Sequence, residues 1–310
     1  MKSSLKNSFK EAVSGYLFVL PNFTGFLIFT FLPIIASFVF AFVHWDLITP
    51  PKFAGVQNFV NLLGFHREHG NLAPNDPDFW KFLGNTCFLM LGIPINMAAS
   101  LILALVMNKK LKGIVFFRTI YFLPSICAGV AIYMLWQWIY NPDFGLLNTL
   151  IRKISFGIFN GPQWLTSTQW AKPALILMGV WTEMGGYNMI LYLAGLQGIP
   201  PELYEAADID GASPWQKFWH ITWPMLTPTT FFIFVMSMIG GFQGGFQQAY
   251  IMTGGGPAGS TTTIEYYIFN NVYVWQHMGY AAAIAWILFA IIFFVNMLIW
   301  RYGGKVVHYI

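Results

Sequence analysis

This sequence contains few charged residues. Charged residues make up 9% of its 310 residues, whereas hydrophobic residues make up 56%. A soluble domain carries about 25% charged residues, so this composition does not provide a water-exposed surface. The mean hydropathy of +0.57 indicates the same class. The sequence therefore predicts an integral membrane protein. Its formal charge of +4 is better explained by membrane topology than by nucleic-acid binding.

Cysteine is also scarce, which excludes a disulfide framework. Cys87 and Cys127 both fall in hydrophobic segments, where a buried thiol acts as a small apolar residue. His66, Glu68 and His69 form the only close group of metal-binding residue types. They lie in a polar loop and lack the further ligands that a closed metal site needs. The sequence predicts no metal site.

Lysine is absent between Lys217 and Lys305. The glycine run at 254–259 is therefore not a nucleotide-binding P-loop, because that motif ends in Gly-Lys-Ser/Thr and its lysine neutralises the phosphates. We interpret the run as a turn-rich loop. No Ser/His/Asp set and no paired carboxylates fall at one membrane depth. The sequence predicts no catalytic residue and no cofactor in this chain.

Long hydrophobic runs, in contrast, are abundant. About 20 helical residues cross the roughly 30 Å of bilayer hydrocarbon. The predicted fold class is all-α integral membrane, with an N-terminal segment at 1–15, a transmembrane domain at 16–300 and a tail at 301–310. Six transmembrane helices are predicted near residues 16–42, 82–107, 119–140, 174–196, 225–247 and 279–300.

The distribution of basic residues predicts the orientation. With the N-terminus in the cytoplasm, ten of the 16 Lys and Arg residues fall on the inner side and six on the outer side. This bias places both termini in the cytoplasm. The inner residues include Lys109, Lys110 and Lys305. The loops at 44–81 and 141–173 then lie outside.

A charged helical hairpin is predicted at 201–223, between the fourth and fifth spans. Pro201 suits the first position of a helix, and Gly211 suits its C-terminal turn. Ser213 and Gln216 have the spacing of a capping box at the start of a second helix. Four acidic residues against one lysine are unusual for a cytoplasmic loop. The residues alone are compatible with a solvated surface hairpin or with a segment that docks on another protein.

The hairpin also resembles the EAA motif of ABC-importer permeases. Glu205-Ala206-Ala207 and Asp210-Gly211-Ala212 carry this resemblance, followed by Phe218, Ile221, Pro224 and Pro228. Three further segments are similar to the carbohydrate and glycerol-3-phosphate permeases of the maltose-permease-like class: 117–124, 138–145 and 250–262. The stretch 66–78 looks like an insertion relative to that class, and no large extracytoplasmic domain interrupts the early spans.

The resemblance implies an ABC type I importer permease fold in a bacterial plasma membrane. It implies that this hairpin is the coupling helix, which fits a cleft on a nucleotide-binding subunit. The implied partners are two such ATPase subunits that hold ATP and Mg, a second homologous permease, an extracytoplasmic solute-binding protein and membrane lipid. The residues implied to receive the ATPase stroke are Glu205, Ala206, Ala207, Asp210, Gly211 and Ala212.

Glu183 is the one acidic residue inside a predicted span. An acid there either lines a wet path or holds a neighbouring helix by a hydrogen bond. A neutral sugar needs hydrogen-bonding groups and aromatic faces along its path. The candidates for that path are Trp136, Gln137, Trp181, Glu183, Asn188, Tyr192, Gln243 and Gln247.

The expected function is half of the translocation pathway for a sugar or oligosaccharide, operating by alternating access. A glycerol-3-phosphate or polyol permease is the first alternative. The second is a membrane-embedded enzyme that acts on a sugar-lipid and uses Glu183 as its acid or base. A purely structural subunit or channel is the third.

Overall fold

The computed structural model describes residues 2–68, 71–109, 112–127 and 129–304, with side chains from residue 10 onward. His69, Lys110 and Lys305, which entered the sequence analysis, lie outside the described residues. In chain order, the elements are α1 (Lys2–Phe26), a π-helical segment (Leu27–Phe31), α2 (Leu32–Phe40), β1 (Val43–His44), β2 (Lys52–Phe53), α3 (Gln57–Leu63), β3 (Phe65–Glu68), β4 (Asn71–Pro74), α4 (Pro77–Leu89), α5 (Gly92–Met107), α6 (Ile114–Ile126), α7 (Gly129–Ile139), α8 (Leu146–Ile154), α9 (Ala171–Glu183), α10 (Tyr187–Gln197), α11 (Pro201–Ile209), α12 (Pro214–Lys217), a second π-helical segment (Phe218–Thr222), α13 (Trp223–Phe242), α14 (Phe246–Gln248), a third π-helical segment (Ala249–Thr253), α15 (Ile264–Phe269), a fourth π-helical segment (Asn270–Val274) and α16 (Met278–Gly303).

The chain divides into two compact units. The first comprises residues 1–76 and 268–287, and the second comprises residues 77–267 and 288–310. In the first unit, β1 pairs with β2, and β3 pairs with β4, both antiparallel. The indole nitrogen of Trp286 donates to Ser37 Oγ at 3.2 Å and so joins α16 to α2. A Cβ on Gly279 would lie 1.8 Å from the carbonyl oxygen of Val43, so only glycine permits this close approach.

The stretch 66–78, which was expected to be an insertion, overlaps β3 and contains β4. His66 contacts Asn75 Oδ1 through Nδ1 at 3.0 Å, and its Nε2 lies 3.8 Å from Glu68 Oε2. Within the described part of the chain, no group of three His, Cys, Asp or Glu side chains is placed to hold a metal ion. Both cysteines are exposed, so the sequence-based expectation of buried thiols is wrong. Cys127 lines a cavity of about 330 Å³.

The second unit is built on α5, α9, α10 and α13. Its main apolar core joins α5, α10 and α13, including Leu101, Tyr192 and Leu226. A second core joins α7 to α9 through Trp136, Tyr140 and Met178. The hydroxyl of Tyr140 donates to the carbonyl oxygen of Ala174 at 2.7 Å, which satisfies a polar group buried at this contact.

Four helices in the described residues are long and apolar enough to cross a bilayer: Lys10–Phe40, Pro77–Met107, Pro214–Phe242 and Met278–Gly303. At most 28% of each apolar window is buried within the protein, so most of that surface is available to lipid. The pair α6 and α7 passes the same test as one broken span, with its axes at 97°. The structure has an all-α membrane fold, and the count of six spans stays a prediction.

The helices differ from the predicted span limits at several points. The first helix, α1, begins at Lys2, before the expected start of the first span. The last helix, α16, ends at Gly303, beyond the expected end of the sixth span. The expected fourth span, 174–196, is divided between α9 and α10. The fifth span was expected to reach Gln247, but α13 ends at Phe242. Glycine pairs lie at both interruptions, and their contacts explain the breaks.

Candidate functional site

The hairpin at 201–223 folds as its sequence predicts. Pro201 occupies the start of α11, and Gly211 takes a left-handed conformation with φ +73°. The amide of Ala212 donates to the Ala207 carbonyl at 2.9 Å, and that of Gly211 donates to Asp208 at 3.1 Å. These two bonds form a Schellman motif, which satisfies the last carbonyls of α11. The glycine ends the helix because its backbone adopts this conformation without steric cost.

A capping box begins the second arm. The amide of Gln216 donates to Ser213 Oγ at 3.3 Å, and Gln216 Oε1 accepts from the Ser213 amide at 2.7 Å. The prediction of this box from the spacing of the two residues is confirmed. It fixes the point at which the chain turns back towards α13.

Two side-chain contacts brace the arms of the hairpin against each other. Lys217 Nζ lies 2.6 Å from Asp208 Oδ1. An exposed ion pair of this kind contributes little to stability, so its main effect is to orient the arms. Deeper in the hairpin, the hydroxyls of Tyr204 and Thr222 are 2.9 Å apart. Because Thr222 is buried, this second contact ties α11 to the start of α13.

The base of the hairpin is continuous with the main core. Tyr204, Phe218, Ile221 and Trp223 pack against the buried cluster of α5, α10 and α13. Leu226 of that cluster is completely buried. A displacement of the hairpin therefore meets close-packed side chains, which transmit strain.

The outer surface of the hairpin combines acidic and apolar groups. Glu205, Ala206, Asp210 and Gly211 are exposed, whereas Ala207 and Ala212 are half-buried in the turn. Ile209 was not predicted as a site residue, yet it is 88% exposed. Its signal was available in the sequence, since it is a bulky apolar residue in the last turn before the terminating glycine. An apolar tip within an acidic rim is typical of a docking surface.

A cavity of about 280 Å³ lies in the second unit. Its walls come from α4, α5, α9, α13 and the segment around α14. Six glycines form much of the wall, so backbone is exposed to the interior. The polar lining residues are Thr86, Asn96, Glu183, Ser237, Gln248 and Thr263. Of these, only Glu183 was predicted, although Asn96 is recognisable as an isolated amide in an apolar run.

Glu183 lines this cavity and a second one of about 330 Å³. Its Oε2 accepts a hydrogen bond of 2.7 Å from Asn96 Nδ2, and Asn96 Oδ1 accepts one of 3.2 Å from Ser100. Glu183 therefore combines both roles considered for it, an interhelical hydrogen bond and exposure to a cavity. An interhelical hydrogen bond in a membrane contributes about 0.6–1.7 kcal/mol, too little to hold a span in place on its own.

Glycine contacts account for the break beside Glu183. A Cβ on Gly185 would lie 2.1 Å from the carbonyl oxygen of Tyr121, so α6 approaches this point too closely for any other residue. Gly186 precedes α10 with ψ −145°, outside the helical range. At the other break, Gly245 has φ +90°, and a Cβ there would lie 2.8 Å from Thr263 Cγ2. Non-helical backbone at membrane depth is tolerated where it is buried in protein or lines a cavity, and both breaks do so.

The aromatic candidates form one cluster. Trp136 is buried, and its ring meets that of Trp181 edge-on with centroids 5.4 Å apart. The indole N–H of Trp136 has no hydrogen-bond partner among the described residues. Trp181 is partly exposed. The two rings form an aromatic surface near α9, and the indole N–H of Trp136 is a hydrogen-bond donor there.

The remaining candidates occupy different environments. Asn188 lines the second cavity, and Gln247 Oε1 lies beside Gly129, which also lines it. Gln137 donates to the carbonyl oxygen of Ile251 at 2.6 Å, so its amide nitrogen is engaged by backbone. Gln243 is exposed at the end of α13. Tyr192 differs from its expected place, because it is fully buried in the main core and does not face open space.

The glycine run 254–259 is a loop held by side chains of α4. Asn85 Nδ2 donates to the carbonyl oxygens of Gly259 and Thr262 at 2.8 and 3.0 Å. Lys81 Nζ donates to Ala258 at 2.7 Å, and Lys172 Nζ donates to Asn85 Oδ1 at 3.1 Å. The prediction of a turn-rich loop is confirmed by the left-handed residues within it.

Comparison with known proteins places this geometry in context. The family described as "Binding-protein-dependent transport system inner membrane component" matches residues 96–301. The lactose transport system permease protein LacF of Rhizobium radiobacter is 37% identical, over 93% of this chain and 92% of its own. The sn-glycerol-3-phosphate transport system permease protein UgpA of Agrobacterium fabrum is 32% identical, over 97% and 98%.

A solved structure has the same fold. It is a chain from a bacterial alginate ABC transporter in complex with an alginate pentasaccharide-bound periplasmic protein. The TM-score is 0.82 at 24% sequence identity, over 97% of each chain.

Proposed function

Because the chain belongs to the family of binding-protein-dependent transport system inner membrane components, we propose that it forms half of the pathway through which an ATP-driven importer takes up a sugar or oligosaccharide. One observation carries the proposal: the exposed hairpin packs into the same α10 and α13 whose glycine breaks border the polar cavities. The elements that would receive the ATPase stroke thus also form the walls around a solute.

The partner at the hairpin is a nucleotide-binding ATPase subunit. Ile209 would enter an apolar groove on that subunit, and the carboxylates of Glu205 and Asp210 would meet a basic rim. Two such subunits hold ATP and Mg, and this chain carries out no ATP hydrolysis itself. A second, homologous permease supplies the other half of the pathway.

The mechanism follows from the packing around the hairpin. Closure of the ATPase pair displaces α11, and the Tyr204–Thr222 contact transfers that displacement to the start of α13. The glycine pairs at 185–186 and 244–245 are the positions where backbone angles change at least cost. The walls around Glu183 would then open towards one side of the membrane at a time, which is alternating access.

The charge of the cavities favours a neutral solute. Among the described residues that line them, Glu183 is the only charged group, and no lysine, arginine or histidine is present. A phosphate ester would meet a carboxylate without a compensating cation, which opposes its entry. Sugar hydroxyls, in contrast, can donate hydrogen bonds to Glu183. A lactose permease is among the relatives, and so is a glycerol-3-phosphate permease, which makes such a phosphate ester the alternative solute.

The proposed location is a bacterial plasma membrane, with both termini and the hairpin in the cytoplasm. The loops at 44–81 and 141–173 would face outward. An extracytoplasmic solute-binding protein would deliver the solute there, as in the solved alginate complex.

The test is reconstitution in proteoliposomes with the second permease, the ATPase subunits and the solute-binding protein. We expect neutral oligosaccharides to stimulate ATP hydrolysis and to accumulate, and sn-glycerol 3-phosphate to do neither. If sn-glycerol 3-phosphate stimulated ATP hydrolysis and the oligosaccharides did not, the phosphate ester would replace a sugar as the proposed solute. Chemical turnover of a sugar-lipid by the purified chain without ATPase subunits would overturn the transport assignment.

A further inference from the structure

Helix α8, in the loop between the third and fourth predicted spans, has one face that the described residues of this chain leave uncovered. Leu146, Leu150 and Ile154 are four residues apart and therefore share a face, and all three are exposed. The other face is occupied, since Leu147 packs against the second core. The helix also carries polar and charged residues, so it is strongly amphipathic. Its apolar stripe, formed by Leu146, Leu150 and Ile154, points away from the protein.

A buried amide fixes which face points outward. Asn148 Nδ2 donates to the carbonyl oxygens of Pro142 and Pro162 at 3.2 and 3.1 Å, and its Oδ1 accepts from the Trp164 indole at 2.8 Å. Rotation of α8 to bury the apolar stripe would break all three hydrogen bonds. The outward orientation of Ile154 is therefore enforced by the fold.

The end of α8 adds more exposed apolar surface, at a conformational cost. Phe156 has φ +52°, and its side chain is 94% exposed. The left-handed conformation costs a residue other than glycine about 1–2 kcal/mol. Ile158 and Phe159 are also mostly exposed. Two backbone hydrogen bonds that cap α8 offset this cost, since the Gly157 amide donates to Arg152 at 2.7 Å and the Phe156 amide donates to Lys153 at 3.3 Å. The cap leaves the ring of Phe156 exposed beside the apolar stripe.

The charge around this surface is positive. No acidic residue occurs between Asp143 and Glu183, whereas Arg152, Lys153 and Lys172 do occur there. Arg152 donates to the backbone carbonyl oxygen of Asp143 at 2.7 Å, and Lys153 is exposed. A cation beside an apolar stripe is complementary to a phospholipid surface, which offers phosphate above acyl chains.

We propose that α8 and residues 155–159 lie in the headgroup region of the outer leaflet, with the stripe and Phe156 in the acyl boundary and Lys153 at the lipid phosphates. Continuity with the membrane-crossing surface supports this partner. Six residues separate the end of α7 from the start of α8, and Trp138 near that end is exposed at the position of an interfacial aromatic. The inference rests on the membrane fold and on the proposed orientation, and it does not depend on the transported solute.

The test uses single-cysteine variants of the full chain within its reconstituted complex. Cys87 and Cys127 are exposed and are first replaced by alanine. Ile154→Cys is then labelled with an environment-sensitive fluorophore, and Gln169→Cys, an exposed polar position in the same loop, is the matched control. Liposomes contain nitroxide-labelled phosphatidylcholine, with or without phosphatidylglycerol.

We expect a blue-shifted emission for the label at 154, with strong quenching by the nitroxide lipid and weak quenching by aqueous iodide. The label at 169 should show the reverse. Phosphatidylglycerol should increase lipid quenching at 154, and Lys153→Glu should remove that increase. Equal iodide quenching at both positions, with protection of 154 only after the solute-binding protein is added, would overturn the proposal and identify a protein-docking surface.

Discussion

Asn96 donates a hydrogen bond of 2.7 Å to Glu183 and so links α5 to the last residue of α9. The carboxylate stands at the C-terminal end of α9, where the helix dipole disfavours a negative charge. Asn96 partly compensates by donating to it. This pair therefore keeps an acidic side chain facing two cavities.

Replacement of Asn96 by leucine is expected to destabilise the complex by about 1–2 kcal/mol, because it removes the partner of a charged group. Thermal unfolding of the purified complex in detergent measures the change. Ser100→Ala is the matched control, since it removes only the neutral 3.2 Å bond to Asn96. Equal effects of the two variants would contradict a special role for the pair.

Ile209→Ser is expected to reduce ATP-dependent uptake by weakening the docking of the ATPase subunit. Loss of one well-buried aliphatic contact costs about 1.5–3 kcal/mol, or roughly tenfold to a hundredfold in affinity. Binding of the ATPase subunits to the permease pair measures it. Phe293→Ala, an exposed apolar change on α16, should leave that affinity unchanged. Unaltered binding by the Ile209 variant would remove this residue from the interface.

Gly211→Val is expected to impair the turn of the hairpin through its backbone alone, because no atom lies within 4 Å of a Cβ at this position. A left-handed conformation costs a bulky residue about 1–2 kcal/mol, whereas asparagine tolerates it better. Uptake should fall further for valine than for asparagine at equal amounts in the membrane. Full uptake with valine would show that the turn does not need its present geometry.

Glu205→Lys tests the acidic rim separately, and we expect it to abolish uptake while the protein still inserts.

Gly185→Ala is expected to prevent stable folding, since the added methyl would sit 2.1 Å from the backbone oxygen of Tyr121. Gly179→Ala, in α9 just before the break, meets no atom within 4 Å. That control should be neutral or stabilising by about 0.5–1 kcal/mol. Thermal unfolding separates the two variants. A stable Gly185→Ala protein would mean that α6 yields at the break.

Local structure was predictable from the sequence where the residues that determine it lie within a few positions of one another. Pro201, Gly211 and the Ser213–Gln216 box identified the hairpin because each acts on its own turn of backbone. The glycine pair at 185–186 is itself visible in the sequence as an interruption of the fourth span. The contact that enforces the break was not predictable, because it comes from Tyr121, about 64 residues earlier.

For the cavity residues too, contacts between residues far apart in the chain were not predictable. Glu183 was recognisable as a lone acid in an apolar run, but its partner Asn96 is 87 positions away. Tyr192 has the chemistry of a sugar path, but it lies buried in the main core, and a single sequence does not reveal which face of a helix is buried. The number of spans and the side of each terminus stay predictions from hydropathy and charge.

The side-chain contacts that shape the hairpin at 201–223 are internal to it. The Ser213–Gln216 box, the Asp208–Lys217 ion pair and the Tyr204–Thr222 contact all begin and end within residues 201–222. Such a segment can be exchanged as one block between related permeases, provided that the receiving core accepts Tyr204 and Phe218. A chimera of this kind would redirect a permease to another system's ATPase while leaving its solute unchanged.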